Sequence, residues 1–214
     1  MQLENYYYYF QSVLTPRFCD DLLKYGKNQQ NQIGLTGKVG KDRDLKTNPL
    51  TKKEIKDLKK TRDSEIVWLN DRWIYKEIFP YIKEANEKAK WNFEWDWSES
   101  CQFTKYSPGQ YYGWHCDSFP MPYVNTNHQN FNNKIRKLSV TCSLSDPSEY
   151  EGGELEFNFN VPERTKKHNI VKCTEILPKG SIVVFPSFLW HRVCPVKKGT
   201  RYSLVIWNLG YPYK

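Results

Sequence analysis

The sequence predicts an α+β fold in which N-terminal helices support a β-rich core of the double-sheet jelly-roll or related barrel type. Three observations predict it. The first ninety residues carry capped segments with helical spacing, whereas from Trp91 onward short runs of Val, Ile, Phe, Tyr and Trp alternate with turn residues. Aromatic residues make up 16% of the chain, a share that suits pleated sheet faces and the walls of a groove. A length of 214 residues is enough for one domain with a substantial core.

Taken in order, Tyr6 to Val13 reads as a short aromatic strand. Thr15-Pro16 supplies an N-cap with proline at the first helical position, and the helix it opens should end near Gly26. Residues 27–50 are polar and read as loop. Thr51 and Glu54 form a capping box that starts a helix to about Lys60. A longer helix is expected from Asp71 to Lys90, with Ile74, Ile78, Ile82, Ala85 and Ala89 on one face and a kink or break at Pro80. Strands are then expected at 92–97, 100–106, 111–117, 136–145, 153–158, 168–176, 181–186 and 200–208. The chain divides into helical support over 1–90 and a jelly-roll core over 91–214, both within one domain, 1–214. Between Ser118 and Asn133 a polar, asparagine-rich stretch reads either as a lid over a site or as a surface excursion.

Charge and cysteine usage narrow the function classes. The net charge is +8, but many basic residues lie between Lys41 and Arg62, interleaved with Asp42, Asp44, Glu54, Asp57 and Asp63. That mixture describes a solvated helical face rather than a basic patch, so nucleic acid is not the expected partner. None of the six cysteines forms a CxxC pair, which argues against a structural zinc site and for free thiols. The N-terminus lacks the features of a signal peptide, and no apolar run approaches the ~20 residues of a membrane span. The expectation is a cytoplasmic protein with no membrane partner.

Four histidines are present, and their placement is informative. His115 and Asp117 stand two apart in a strand-like run, which would project both from one face. His191 follows the apolar run Ser181-Ile-Val-Val-Phe185, so a strand distant in sequence would deliver it to the first pair. Two imidazoles and a carboxylate form the facial triad of non-haem Fe(II) oxygenases, which leaves coordination positions open. His128 and His168 read as surface residues. Ten residues beyond His191, Arg201 offers a planar fork for a carboxylate. Ser203 and Trp207 share its strand face and would enter the same cavity.

These pieces, in this order, resemble the Fe(II)/2-oxoglutarate-dependent dioxygenases of the prolyl 4-hydroxylase and lysyl hydroxylase group. The resemblance runs through Tyr106-Ser-Pro-Gly109, His115-Cys-Asp117, Arg136-Lys-Leu-Ser-Val-Thr-Cys-Ser-Leu-Ser145, Gly152-Gly-Glu-Leu-Glu-Phe157 and Gly180-Ser-Ile-Val-Val-Phe185. It continues through His191, Pro195-Val196, Gly199, Arg201 and Trp207. It implies a double-stranded β-helix core, with His115, Asp117 and His191 as Fe(II) ligands. Arg201 would pair with the distal carboxylate of 2-oxoglutarate, Tyr106 would line the cosubstrate or substrate side, and Trp207 would form the cavity wall. The implied reaction consumes O2 and decarboxylates 2-oxoglutarate to succinate and CO2 while hydroxylating an unactivated C–H bond, with ascorbate as reductant.

Retention of Asp117 separates the chain from halogenating relatives. Trp207, where nucleic-acid demethylases carry a second arginine, separates it from those. A prolyl residue in a peptide or protein is the first-choice target, although collagen-type prolyl hydroxylases place lysine where Arg201 stands. The alternatives are a lysyl or other hydroxylase of the same group, or a non-catalytic jelly-roll binding module.

Overall fold

The computed structural model describes residues 3–36, 48–124, 126, 128–159 and 170–213. The first elements are β1 (Tyr8–Phe10), α1 (Pro16–Lys27), β2 (Gln32–Ile33), α2 (Lys52–Lys59), β3 (Arg62–Asp63), β4 (Glu65–Leu69) and α3 (Arg72–Lys88). Thr15 caps α1 by accepting from the Phe18 backbone N–H, and Thr51 and Glu54 form the reciprocal capping box of α2. Pro80 does not break α3, which is helical from Arg72 through Lys88. The ring sits on the exposed side, where water can satisfy the carbonyl that loses its partner. Its buried stripe is Ile74, Ile78, Ile82 and Ala85.

The remaining strands are β5 (Trp97–Ser98), β6 (Cys101–Tyr106), β7 (Tyr111–His115), β8 (Ile135–Ser143), β9 (Tyr150–Gly152), β10 (Leu155–Asn158), β11 (Ile170–Lys172), β12 (Ile182–Pro186), β13 (Trp190–Val193), β14 (Val196–Gly199) and β15 (Arg201–Gly210). They build an eight-stranded major sheet, ordered β1-β12-β8-β15-β6-β4-β2 with β5 beside β15. A five-stranded minor sheet is ordered β11-β10-β13-β7-β3, and β14 pairs with β9. This is a jelly-roll core of two apposed sheets. One hydrophobic cluster joins Leu22, Ile74, Ile78 and Ile82 to Phe103, Val140, Ile182, Leu204 and Ile206, so the helices cover the outer face of the major sheet. A second, with Tyr106, Phe157, Val183, Phe185 and Val193, fills the space between the sheets.

Several expectations need correction. The segment read as helical support has the strand expected within Tyr6 to Val13, as β1, but it also supplies β2 and β4 to the major sheet and β3 to the minor one. Of the strand expected at 92–97, only Trp97 is in a strand, β5, where it pairs with Leu209 and the following Ser98 pairs with Asn208 of β15. Strands β13 and β14 went unread, since Pro186, Pro195 and the paired lysines resemble loop signals. Arg62, at the end of the run read as a solvated face, is 3% exposed on β3. Residues 41–47 of that run and His168 lie outside the described residues. His128 is exposed. None of the six cysteines is in a disulfide. No helix among the described residues is long and apolar enough to cross a membrane.

Candidate active site

Strands β7 and β13 are antiparallel neighbours with His115 opposite His191. Between that pair and the Val193–Tyr112 pair, β13 advances two residues while β7 advances three. One extra residue on β7 makes a bulge at Gly113 and Trp114, and a bulge re-aims the side chains beyond it. Regular alternation would put Tyr112 and His115 on opposite faces. Instead their rings stack at 3.6 Å and 13°. The bulge is held by the Gly113 N–H, which donates to the Thr61 carbonyl at 2.8 Å.

Asp117 is not on the strand with His115, contrary to the same-face expectation, because β7 ends at His115. A bend carries it inward instead. The backbone N–H groups of Asp117 and Ser118 both donate to the Ser187 carbonyl, each at 2.9 Å. The Ser139 hydroxyl donates to Asp117 Oδ2 at 2.7 Å and lies 2.9 Å from the Ser187 hydroxyl. The carboxylate therefore takes its aim from β8 and the β12–β13 turn.

The ligand atoms of His115, Asp117 and His191 all lie within 4.8 Å of one another. Nε2 of His115 is 3.5 Å from Asp117 Oδ1, and Nε2 of His191 is 3.4 Å from Oδ2. Each Nδ1 meets a backbone carbonyl two residues earlier, Gly113 for His115 at 2.8 Å and Leu189 for His191 at 2.9 Å. A carbonyl only accepts, so each Nδ1 carries a proton, and Nε2 is the ring nitrogen left to face the shared centre. Burial, then the neighbouring His115, lower the His191 pKa from 6.5 to about 4 against the pull of Asp117. Burial opposes ionisation of Asp117, but His191, His115 and Arg136 hold its carboxyl well below the ordinary range. Two imidazoles and one carboxylate, with Nε2 and Oδ atoms converging, fit a divalent transition metal of the iron type.

Two expectations follow from this geometry. Ser139→Ala removes the hydroxyl on Asp117 without touching a donor of the triad, and metal affinity should fall about 10- to 100-fold in a competition titration. The second concerns metal-free protein. The unfolded chain takes up the His191 proton near pH 6.5, whereas the folded chain resists it until about pH 4. Stability from this group is therefore full above pH 6.5 and is lost as pH falls through that window, by on the order of 3 kcal/mol. Urea denaturation at neutral and mildly acidic pH should show the loss, and His191→Asn should flatten it.

The other sequence-derived residues lie on the facing sheet. Arg201, 3% exposed, pairs in register with Tyr106 of β6, and its guanidinium carbon lies 5.7 Å from the Tyr106 ring centroid. Its Nη1 donates to the Ser203 hydroxyl at 3.2 Å, and no carboxylate of the described residues pairs with it. Gly153, at φ +68°, lets the chain pass close by, since a Cβ there would come within 2.9 Å of Arg201 Cδ. Trp207 is buried in register with Ser139.

Arg136 is a site residue to which sequence reasoning gave no role. The β8–β15 register changes between Asn208–Leu138 and Leu209–Arg136, leaving Lys137 as the extra residue of a second bulge. That bulge turns Arg136 onto the face of Ser139, 4.0 Å over the Trp207 ring, where Glu99 grips it through two 2.6 Å hydrogen bonds. Arg62 went unread too. It stacks 4.6 Å from the Tyr112 ring centroid and donates to the Ser64 hydroxyl and the Leu35 carbonyl. Nothing in residue type marks such positions; for Arg62 the Arg-x-Ser spacing that it shares with Arg201 was the available signal, and Arg136 lacks it. The 118–133 segment is tied at its base by hydrogen bonds from Tyr123 N–H to the Lys134 carbonyl and from Asn133 N–H to the Tyr123 carbonyl.

The chain is similar to known proteins. A PKHD-type hydroxylase of Synechococcus sp. (strain CC9605) is 39% identical over 105 residues, 49% of this chain and 39% of the relative. One from Parvibaculum lavamentivorans is 37% identical over 107 residues, 50% of this chain and 41% of the relative. The chain thus spans about two fifths of the length of these curated relatives. In fold it is similar to a prolyl-4-hydroxylase of Pseudomonas putida (TM-score 0.63, 16% identity, 96% of this chain and 93% of that one). It is also similar to the viral collagen prolyl hydroxylase of Paramecium Bursaria Chlorella virus-1 (TM-score 0.59, 20% identity, 97% of both chains). The model of one family matches residues 101–208, half of the chain, from β6 to β15 and across all three convergent donors. With that match, the chain belongs to the 2OG-Fe(II) oxygenase superfamily.

Proposed function

We propose that this chain is an Fe(II)- and 2-oxoglutarate-dependent dioxygenase that hydroxylates a prolyl residue in a peptide or protein, releasing succinate and CO2. The observation that carries the reading is the meeting of His115, Asp117 and His191 within 4.8 Å, on a sheet that faces a buried Arg201. His115 and His191 hold iron through Nε2 and Asp117 through its carboxylate. Iron so held supplies dioxygen activation coupled to oxidative decarboxylation of 2-oxoglutarate, with ascorbate keeping it reduced. Arg201 takes the distal carboxylate of the cosubstrate, with Ser203 orienting the guanidinium. Tyr106 lines the cosubstrate side, and Trp207 forms the wall beneath Arg136. Burial of the donors limits water at the centre, which strengthens each polar contact there.

The prolyl target is supported by the names of the fold neighbours described above. A further fold neighbour is a prolyl hydroxylase from Trichoplax adhaerens in complex with a hypoxia inducible factor peptide fragment (TM-score 0.60, 16% identity). Residues 1–214 act as one dioxygenase domain in this reading, in the cytoplasm, on a peptide partner and without nucleic acid. The test is incubation with Fe(II), 2-oxoglutarate, ascorbate and a peptide pool, followed by mass spectrometry and succinate measurement. Proline-containing peptides should gain one oxygen in step with succinate. A gain on lysine instead moves the target to the lysyl variant. Absence of succinate across a broad panel favours a non-catalytic binding module.

A further inference from the structure

The run Tyr6 to Tyr9 has no part in the metal-binding set, yet one of its rings differs in setting from the rings that wall the site. Three of those walls are faced by guanidinium groups. Arg62 lies 4.6 Å from the Tyr112 centroid, Arg136 4.0 Å from that of Trp207, and Arg201 5.7 Å from that of Tyr106. A cation over a ring is bound by its π electrons, so removing one of those electrons is harder.

Tyr7 has the opposite surroundings. Its hydroxyl donates to Glu175 Oε1 at 3.1 Å, and Glu175 Oε2 is buried without a partner, so the carboxylate retains acceptor capacity. Burial first, then Cys173 and Glu175, push the Tyr7 phenol far above its ordinary range. The ring therefore stays protonated, and losing an electron requires a base for its proton.

Ring contacts connect Tyr7 to the triad and to the surface. Tyr7 stacks on Phe157 at 5.1 Å, Phe157 meets Phe185 edge-on at 4.9 Å, and Phe185 meets His191 at 4.8 Å. Outward, Tyr7 lies 6.4 Å from Tyr9, which is 43% exposed.

We propose that Tyr7, with Glu175 as its proton acceptor, is a redox-active outlet for this site when dioxygen and 2-oxoglutarate react without a peptide to hydroxylate. The inference rests on the dioxygenase reading above. One electron passes from the Tyr7 phenol to the oxidised iron centre, which is reduced by that electron. The phenolic proton passes to Glu175, and a neutral tyrosyl radical remains. A one-electron reductant of the ascorbate class, reaching the exposed Tyr9, returns the electron, and Glu175 returns the proton. This removes one of the two oxidising equivalents that decarboxylation without a substrate leaves at the iron. A second electron from the same class of reductant and two protons from solvent remove the other and release the remaining oxygen atom as water, so that neither attacks the donors of the triad.

The test uses the protein loaded with Fe(II) and 2-oxoglutarate, exposed to dioxygen without peptide or ascorbate and freeze-quenched. Electron paramagnetic resonance is recorded with succinate measured in parallel. The expected result is a tyrosyl radical whose hyperfine splitting collapses in ring-deuterated wild-type protein. It should be absent from Tyr7→Phe, which keeps the ring and its packing, and severalfold weaker in Glu175→Gln. Inactivation per uncoupled turnover should rise severalfold in Tyr7→Phe. Succinate without a radical, or the same radical in Tyr7→Phe, overturns the proposal and leaves the dioxygenase reading standing. No succinate at all counts against that reading and removes this route with it.

Discussion

His115→Ala and His191→Ala should each weaken Fe(II) binding by more than about 100-fold, beyond the range that loss of an outer partner causes, and reduce turnover to background. Either change leaves one imidazole and a carboxylate, too few donors to hold the ion while cosubstrate chelates it. The fold should survive, because the inter-sheet packing of Phe157, Phe185 and Val193 and the pairing of β13 with β7 do not depend on the imidazoles. Calorimetric titration with Fe(II) or a redox-stable surrogate, beside thermal unfolding of metal-free protein, separates the two effects. Wild-type affinity in either variant would remove the metal assignment.

Arg201→Ala should act on the cosubstrate and spare the metal. A guanidinium that is 3% exposed and has no carboxylate partner among the described residues is poised for one from a ligand. Truncating one member of such a buried pair costs about 2–5 kcal/mol. At about 1.4 kcal/mol per tenfold, the KM for 2-oxoglutarate should rise by roughly 30-fold to several thousandfold. Fe(II) affinity should stay near wild type. Arg201→Lys should fall between, since an ammonium supplies the charge without the two-pronged geometry. An unchanged KM in Arg201→Ala, with iron binding intact, would place the cosubstrate elsewhere.

Much of the fold was legible because it is encoded locally. The Thr15 cap, the Thr51–Glu54 box and the isoleucine stripe of α3 each act within a few residues, and the structure has all three. The long alternating runs that became β6, β8, β12 and β15 were legible for the same reason. Strands β13 and β14 were not, since short segments beside proline or paired lysines acquire strand geometry only from their neighbours in the sheet. The candidate site divides similarly. His115, His191 and Arg201 were read as donor types in order, whereas Ser139, Ser187, Arg136 and Glu99 matter through what they touch.

What the sequence determined by itself was the chemistry available: two imidazoles, a carboxylate and an arginine, on a chain whose patterning demands apposed sheets. What the tertiary structure decided was aim. The bulge at Gly113 and Trp114 turns His115 inward, the one at Lys137 does so for Arg136, and the Ser187 carbonyl draws Asp117 off the strand. Each depends on a partner far along the chain, Thr61, β15 and the β12–β13 turn respectively. Periodicity within a segment carries no information about which distant backbone will lie beside it, and that neighbour sets the register in which the donors meet.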